Sequence, residues 1–196
     1  MKKTAAVQEK IESTFRQKVL NDKKVKNAYL LVHSEKLGVD IDIAEGKTGE
    51  VQANPNQANH LASVGKIFTA TIIGMLHDKG LLQFEDKIAQ YLDSVLMSGL
   101  HIYKGKDYSD EITIRQLLMQ TSGLYDVFFP LLEKMIKDPG LEMTVKEAVE
   151  WGKKNLKPVA APRKKHHYTD TNYYLLGLII ESITQKSFHE VVHEMI

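Results

Sequence analysis

Ser63-Val64-Gly65-Lys66 places a hydroxyl and an amine three residues apart, at the point where a polar stretch gives way to an apolar one. On a helix that spacing brings both groups to one face. An amine that loses its proton there can accept the serine proton and so activate the oxygen as a nucleophile. The same residues also read as a simple helix start, with Ser63 as N-cap and Lys66 exposed in the first turn. Lys66 fits that plainer reading poorly, because a cation in the first turn opposes the helix dipole. A single S-x-x-K pattern is common by chance and decides nothing alone.

A second group lies at Tyr168-Thr169-Asp170-Thr171-Asn172-Tyr173. A tyrosine just before a helix can present its phenol to a cleft and, beside a cation, serve as base or proton relay. Asp170 could accept hydrogen bonds from a substrate amide. Equally, Thr169 or Asp170 could cap a helix while the tyrosines pack with their hydroxyls in water. Two further patterns read as decoys. His189-Glu190-Val191-Val192-His193 spells a zinc-protease helix, but three residues follow it, which leaves no room for a distant third ligand. The segment also reads as a surface helix capped by Ser187, with Phe188, Val191, Val192 and Met195 inward. Lys47-Thr48-Gly49 precedes Ser63, follows a strand pattern and reads as a turn. His166 and His167 read as polar surface.

The elements that must position these groups follow from periodicity. Val7, Ile11, Phe15 and Val19 recur every four residues, which predicts an opening helix ending near Asn21. Residues 28–33 and 39–43 read as strands, the second alternating apolar and acidic residues. Gly38 and residues 45–49 supply turns, and residues 54–59 form a polar loop. A buried central helix is expected from about Ser63 to Asp78, stopped by Gly80. Thr113 with Gln116, Thr144 with Glu147, and Ser187 with Glu190 have capping-box spacing and predict three more helix starts. Another helix is expected over 171–183. Two strands and many helices predict an α+β fold, although two strands alone make a poor sheet.

Several segments together resemble one family. Ser63-Val64-Gly65-Lys66 continues into Phe68-Thr69-Ala70, then Gly80-Leu81-Leu82 and Asp86-Lys87-Ile88. Leu117-Leu118-Met119-Gln120-Thr121-Ser122-Gly123-Leu124 and Tyr168-Thr169-Asp170-Thr171-Asn172-Tyr173 follow in order. The ordered set resembles the β-lactamase-related serine hydrolases, which include class C β-lactamases, D-alanyl-D-alanine carboxypeptidases and related esterases, over roughly residues 25–196. The resemblance implies an antiparallel sheet flanked by helices plus a helical region. It implies Ser63 as nucleophile, Lys66 and Tyr168 as proton handlers, and a small-molecule or peptide acyl substrate.

The chain departs from the family pattern at Asp170, where Asn is usual. A carboxylate cannot donate to a substrate carbonyl, and paired with Lys66 it would hold that residue charged and leave Tyr168 more of the base's task. The family's K-T-G or H-x-G strand, which supplies one oxyanion donor, is not found between Tyr168 and Ile196. Residues 1–196 are therefore expected to be the N-terminal portion of one domain: 1–24 a helix, 25–60 the first strands, 61–196 the nucleophile helix and helical region. A non-catalytic binding protein that keeps the fold is the alternative function.

Composition limits the rest. The 196 residues suit one domain with a proper core. With 26 Lys and Arg against 25 Asp and Glu, nothing favours nucleic acid or an anionic membrane as partner. Lys153, Lys154, Lys164 and Lys165 read as solvated surface. The absence of cysteine excludes disulfides, thiolate catalysis and Cys-based metal sites, and no cofactor or metal is expected. No apolar run approaches a membrane span or forms a secretory leader. A cytoplasmic location is expected, or an exported one if a leader has been removed.

Overall fold

The computed structural model describes residues 2–196, with side chains from residue 4 onward. The chain forms two compact units, Met1–His60 and Leu61–Ile196. In the first, helix α1 (Lys2–Asn21) lies against strand β2 (Val39–Thr48), tied by Arg16 Nε to Glu45 at 2.8 Å and by Gln8 Nε2 to the Asp40 carbonyl at 3.0 Å. Strand β1 (Asn27–Ser34) pairs antiparallel with β2 in a register running from Asn27 opposite Gly46 to Ser34 opposite Val39. Val39 and Ile41 are buried while Asp40 and Asp42 are exposed, the two-residue alternation of a half-buried strand.

The sheet has a third strand, β3 (Val51–Gln52), which the sequence reading did not anticipate. Residues 45–48, expected to turn, instead continue β2, and Lys47 and Thr48 pair with Gln52 and Val51. The turn is confined to Gly49 and Glu50. Gly46 makes the extension possible. Its φ is +92°, and a Cβ there would stand 2.3 Å from the Lys26 carbonyl oxygen, so only glycine lets the strand pass.

The second unit is mostly helical. Helix α2 (Lys66–Asp78) starts three residues later than expected, because Ala62–Gly65 form a 3₁₀ turn. It buries one face, with Thr69, Ile72, Ile73 and Leu76 at the i, i+3, i+4, i+7 spacing, and leaves Ile67 64% exposed. The expected buried central helix is therefore buried on one face only. Short helix α3 (Ser94–Met97) is capped by Asp93, whose side chain accepts from Leu96 N. Strands β4 (Ile102–Tyr103) and β5 (Lys106–Asp107) form a hairpin whose two turn residues, Lys104 and Gly105, both have positive φ.

Helices α4 (Ile114–Leu118), α6 (Val145–Asn155) and α8 (Phe188–Met195) each begin with the capping box read from the sequence. Helix α5 (Phe128–Lys137) was not anticipated. It starts Phe128-Phe129-Pro130, a proline in the first turn where no backbone donor is needed. Helix α7 (Asp170–Thr184) runs through the core with Leu175, Leu176, Ile179 and Ile180 buried. These share one buried core with Ile72, Ile73, Leu76, Leu117, Leu124, Val127, Val149 and Val191 among others. No helix among the described residues is long and apolar enough to cross a membrane.

Two features of this core make testable predictions. Gly123 turns the chain after α4 at φ +78°, and a Cβ would stand 2.1 Å from the Ala160 carbonyl oxygen. Gly123→Ala should cost about 2–4 kcal/mol, read as a lower chemical-denaturation midpoint with unchanged slope. His101 is fully buried, and neither ring nitrogen makes a well-formed hydrogen bond. Burial holds its imidazole below the ordinary value of 6.5, with nearby backbone at Ser122 and Ala160 and the Asp107 charge offsetting only part of that. The unfolded chain then binds the proton first, so stability should fall as pH drops below about 6.5. His101→Gln should flatten that acid dependence in thermal melts between pH 7 and 5.

Candidate active site

The site is assembled from two segments of the helical unit. Ala62, immediately before Ser63, has φ +47°, a left-handed conformation uncommon outside glycine. Ser63 then lies inside the 3₁₀ turn rather than at the helix cap. The N-cap of α2 is Gly65, which has no side chain to offer, so the alternative reading of Ser63 as a helix cap is not realised. Its hydroxyl is engaged by other side chains instead. The Tyr168 hydroxyl donates to Ser63 Oγ at 2.7 Å, and Lys66 Nζ lies 3.3 Å from the same oxygen.

Lys66 forms an ion pair with Asp170, each side chain 17% exposed. Its ammonium also lies 5.1 Å from the Tyr168 ring centre and 5.6 Å from that of Tyr173. Burial alone would pull the Lys66 ammonium below its ordinary value of 10.5. Hydrogen bonds and charge from Asp170 and Tyr168 outweigh it, and the net shift is upward. The amine is held protonated at neutral pH. Burial likewise raises the Tyr173 phenol, with the Lys66 charge acting the other way. All four residues read from the sequence, Ser63, Lys66, Tyr168 and Asp170, thus meet in one place.

A buried polar network holds the second segment. After α4, Gln120 at φ +57° and Gly123 reverse the chain. Ser122 Oγ donates to Asn172 Oδ1 at 2.6 Å and accepts from Leu124 N at 3.1 Å. Asn172 Nδ2 donates to Gln120 Oε1 at 2.5 Å, and that oxygen also accepts from Thr169 N at 3.0 Å. The Gln120-Thr121-Ser122-Gly123 and Tyr168-Thr169-Asp170-Thr171-Asn172 segments are therefore bonded to one another through buried groups. Sequence reading quoted both but assigned no role to Gln120, Ser122 or Asn172. Only their being polar within apolar surroundings could have marked them.

The other candidates lie apart from this cluster in what they do. Glu190 accepts from Ser187 N at 2.9 Å and from Ser187 Oγ at 2.7 Å, so it closes the α8 cap. His189 and His193 stack edge-on, 4.6 Å between ring centres. Among the described residues no three His, Asp or Glu side chains are gathered as a metal site. Tyr125 and Val127 are buried core, while Phe128 and Phe129 at the start of α5 are exposed.

This α+β arrangement is one found in known hydrolases. Residues 19–196 match the family model described as Beta-lactamase, and the chain belongs to that family. It is 30% identical over 143 residues to protein flp of Staphylococcus aureus, aligned over 73% of this chain and 26% of that protein. With penicillin-binding protein 4* of Bacillus subtilis it is also 30% identical over 143 residues, 70% of this chain and 28% of that protein. The chain thus spans about a quarter of the length of these curated relatives. A D-stereospecific amidohydrolase from a Streptomyces species shares the fold, with TM-score 0.67 and 24% identity over 81% of this chain and 45% of that one.

Asp170→Asn removes the carboxylate that holds Lys66 protonated. The Lys66 titration should therefore move to lower pH, read by carbon NMR of the labelled lysine side chain. An unmoved or higher Lys66 titration would contradict the assignment of Asp170 as its main counter-charge.

Proposed function

We propose that this chain carries the nucleophile of a serine hydrolase that forms an acyl-enzyme on an amide or ester. The supporting observation is the environment of Ser63 Oγ, 2.7 Å from the Tyr168 hydroxyl and 3.3 Å from the Lys66 ammonium. Such contacts give a serine both a partner for its proton and a compensating positive charge.

Ser63 Oγ attacks the acyl carbon as its proton passes to the Tyr168 oxygen and Tyr168 hands its own hydroxyl proton on to the leaving nitrogen or oxygen. The carbon–nitrogen or carbon–oxygen bond breaks, and the protonated amine or alcohol departs. Water enters by the reverse route, releases the acid and restores Ser63. Lys66, held charged by Asp170, is a poor base in this scheme. It stabilises the negative charge that develops as the proton moves and the tetrahedral oxygen forms. Every proton and electron pair is carried by side chains, substrate and water.

Amide substrates agree with the Streptomyces amidohydrolase that shares the fold, and β-lactams and D-Ala-terminated peptides belong to the same chemical class. The Lys66–Asp170 pair favours one competing reading, a protein that keeps the fold for binding without turnover.

A fluorophosphonate probe should add to Ser63, seen as one mass increment on the intact chain and absent in Ser63→Ala. Release of p-nitrophenol from a p-nitrophenyl ester should likewise vanish in Ser63→Ala. No adduct on the parent chain, or one that persists in Ser63→Ala, would favour the binding reading instead.

A further inference from the structure

Asp126 lies 44 residues before Asp170, in the segment that follows the Ser122–Gly123 turn. It is flanked by the buried residues Tyr125 and Val127, and it is itself half-buried. Its Oδ1 accepts from the Asp170 backbone N–H at 3.0 Å, and lies 3.2 Å from Thr169 Oγ1 and 3.4 Å from Phe128 N. Two neighbouring bonds dock the same segment on the first turn of α7. Thr169 Oγ1 donates to the Tyr125 carbonyl at 2.8 Å, and Val127 N donates to Thr171 Oγ1 at 3.2 Å.

Asp170 is the first residue of α7, so its N–H has no partner within the helix. The local cap, Thr169 Oγ1, accepts from Thr171 N at 3.1 Å and leaves the Asp170 donor unanswered. A carboxylate from a distant loop answers it, in the favourable field of the helix terminus. The same Asp170 turns its own carboxylate to Lys66. A small rotation of this first turn would displace that carboxylate and the preceding Tyr168 together.

We infer that Asp126 is a positioning residue for the Ser63 site, acting through Asp170: it fixes the start of α7 so that Asp170 meets Lys66 and Tyr168 meets Ser63. The inference rests on the acyl-transfer reading above. A plain helix cap would add stability alone and would not depend on the side chain at position 170.

The test follows fluorophosphonate addition to Ser63 by intact mass on the full chain. Asp126→Ala should slow addition at least tenfold. Asp126→Asn, which keeps an Oδ1 acceptor, should stay within about threefold of the parent. In an Asp170→Ala background, where only Tyr168 remains to be placed, Asp126→Ala should slow addition by no more than about threefold. Asp126→Ser, polar but too short to reach the Asp170 N–H, replaces Asp126→Ala if that variant does not fold and carries the same expectations. Addition within twofold of the parent, or an equal loss in both backgrounds, overturns the positioning role alone. A parent chain that never adds the probe overturns the acyl-transfer reading, and the positioning role with it.

Discussion

A lysine ammonium with only 17% of its side chain in contact with solvent cannot stand without a counter-charge. Removing a charge from water costs several kcal/mol unless a close partner and hydrogen bonds compensate. Lys66 therefore obliges the fold to bring a carboxylate to it. That carboxylate, Asp170, comes from 104 residues further along the chain. Its arrival also sets Tyr168 against Ser63, since Tyr168 lies two residues before Asp170 at the start of α7. The pair organises the site as much as it participates in it.

Bringing Asp170 to that point requires the start of α7 to be held still, and apolar packing alone does not do this. Leu175, Leu176, Ile179 and Ile180 anchor the body of the helix, but they leave its first turn free to fray. The first turn is secured by directional bonds instead: Gln120 Oε1 to Thr169 N, the Ser122–Asn172 pair, and Asp126 to Asp170 N. Each buried member of such a network is costly if unpaired, so its geometry is narrow. Gly123 belongs to the same constraint, because the turn that brings these side chains round leaves no space for a Cβ beside Ala160.

Asp170 in place of the family's usual Asn changes how the proton can move. An amide would leave the Lys66 amine free to be tuned by burial, which favours the neutral form. A carboxylate reverses the balance, and Lys66 is held above its ordinary value. The same three side chains then divide the work differently. In the proposed acyl transfer the ammonium stabilises charge, and the phenol, 2.7 Å from Ser63 Oγ, relays the serine proton.

Much of this was legible from residue types alone. The capping boxes at Thr113, Thr144 and Ser187 form as read, because a cap is a contract among four consecutive residues and needs nothing distant. The alternation from Val39 to Ile43 likewise reports a half-buried strand directly. The ordered motifs named Ser63, Lys66, Tyr168 and Asp170 as a group. Tertiary structure decided the rest. The left-handed Ala62 and the 3₁₀ turn moved Ser63 off the helix cap, a conformation the tripeptide does not announce. Gly46 carried β2 through residues expected to turn, since whether a glycine ends a strand or bulges it depends on the neighbour it must pass, here the Lys26 carbonyl. Asp126 gave no sign at all, because its role exists only once α7 is packed beside it. Local sequence sets what a few adjacent residues can do to one another. Which ammonium meets which carboxylate is set by chain segments a hundred residues apart, and burial supplies the energy that makes their meeting compulsory.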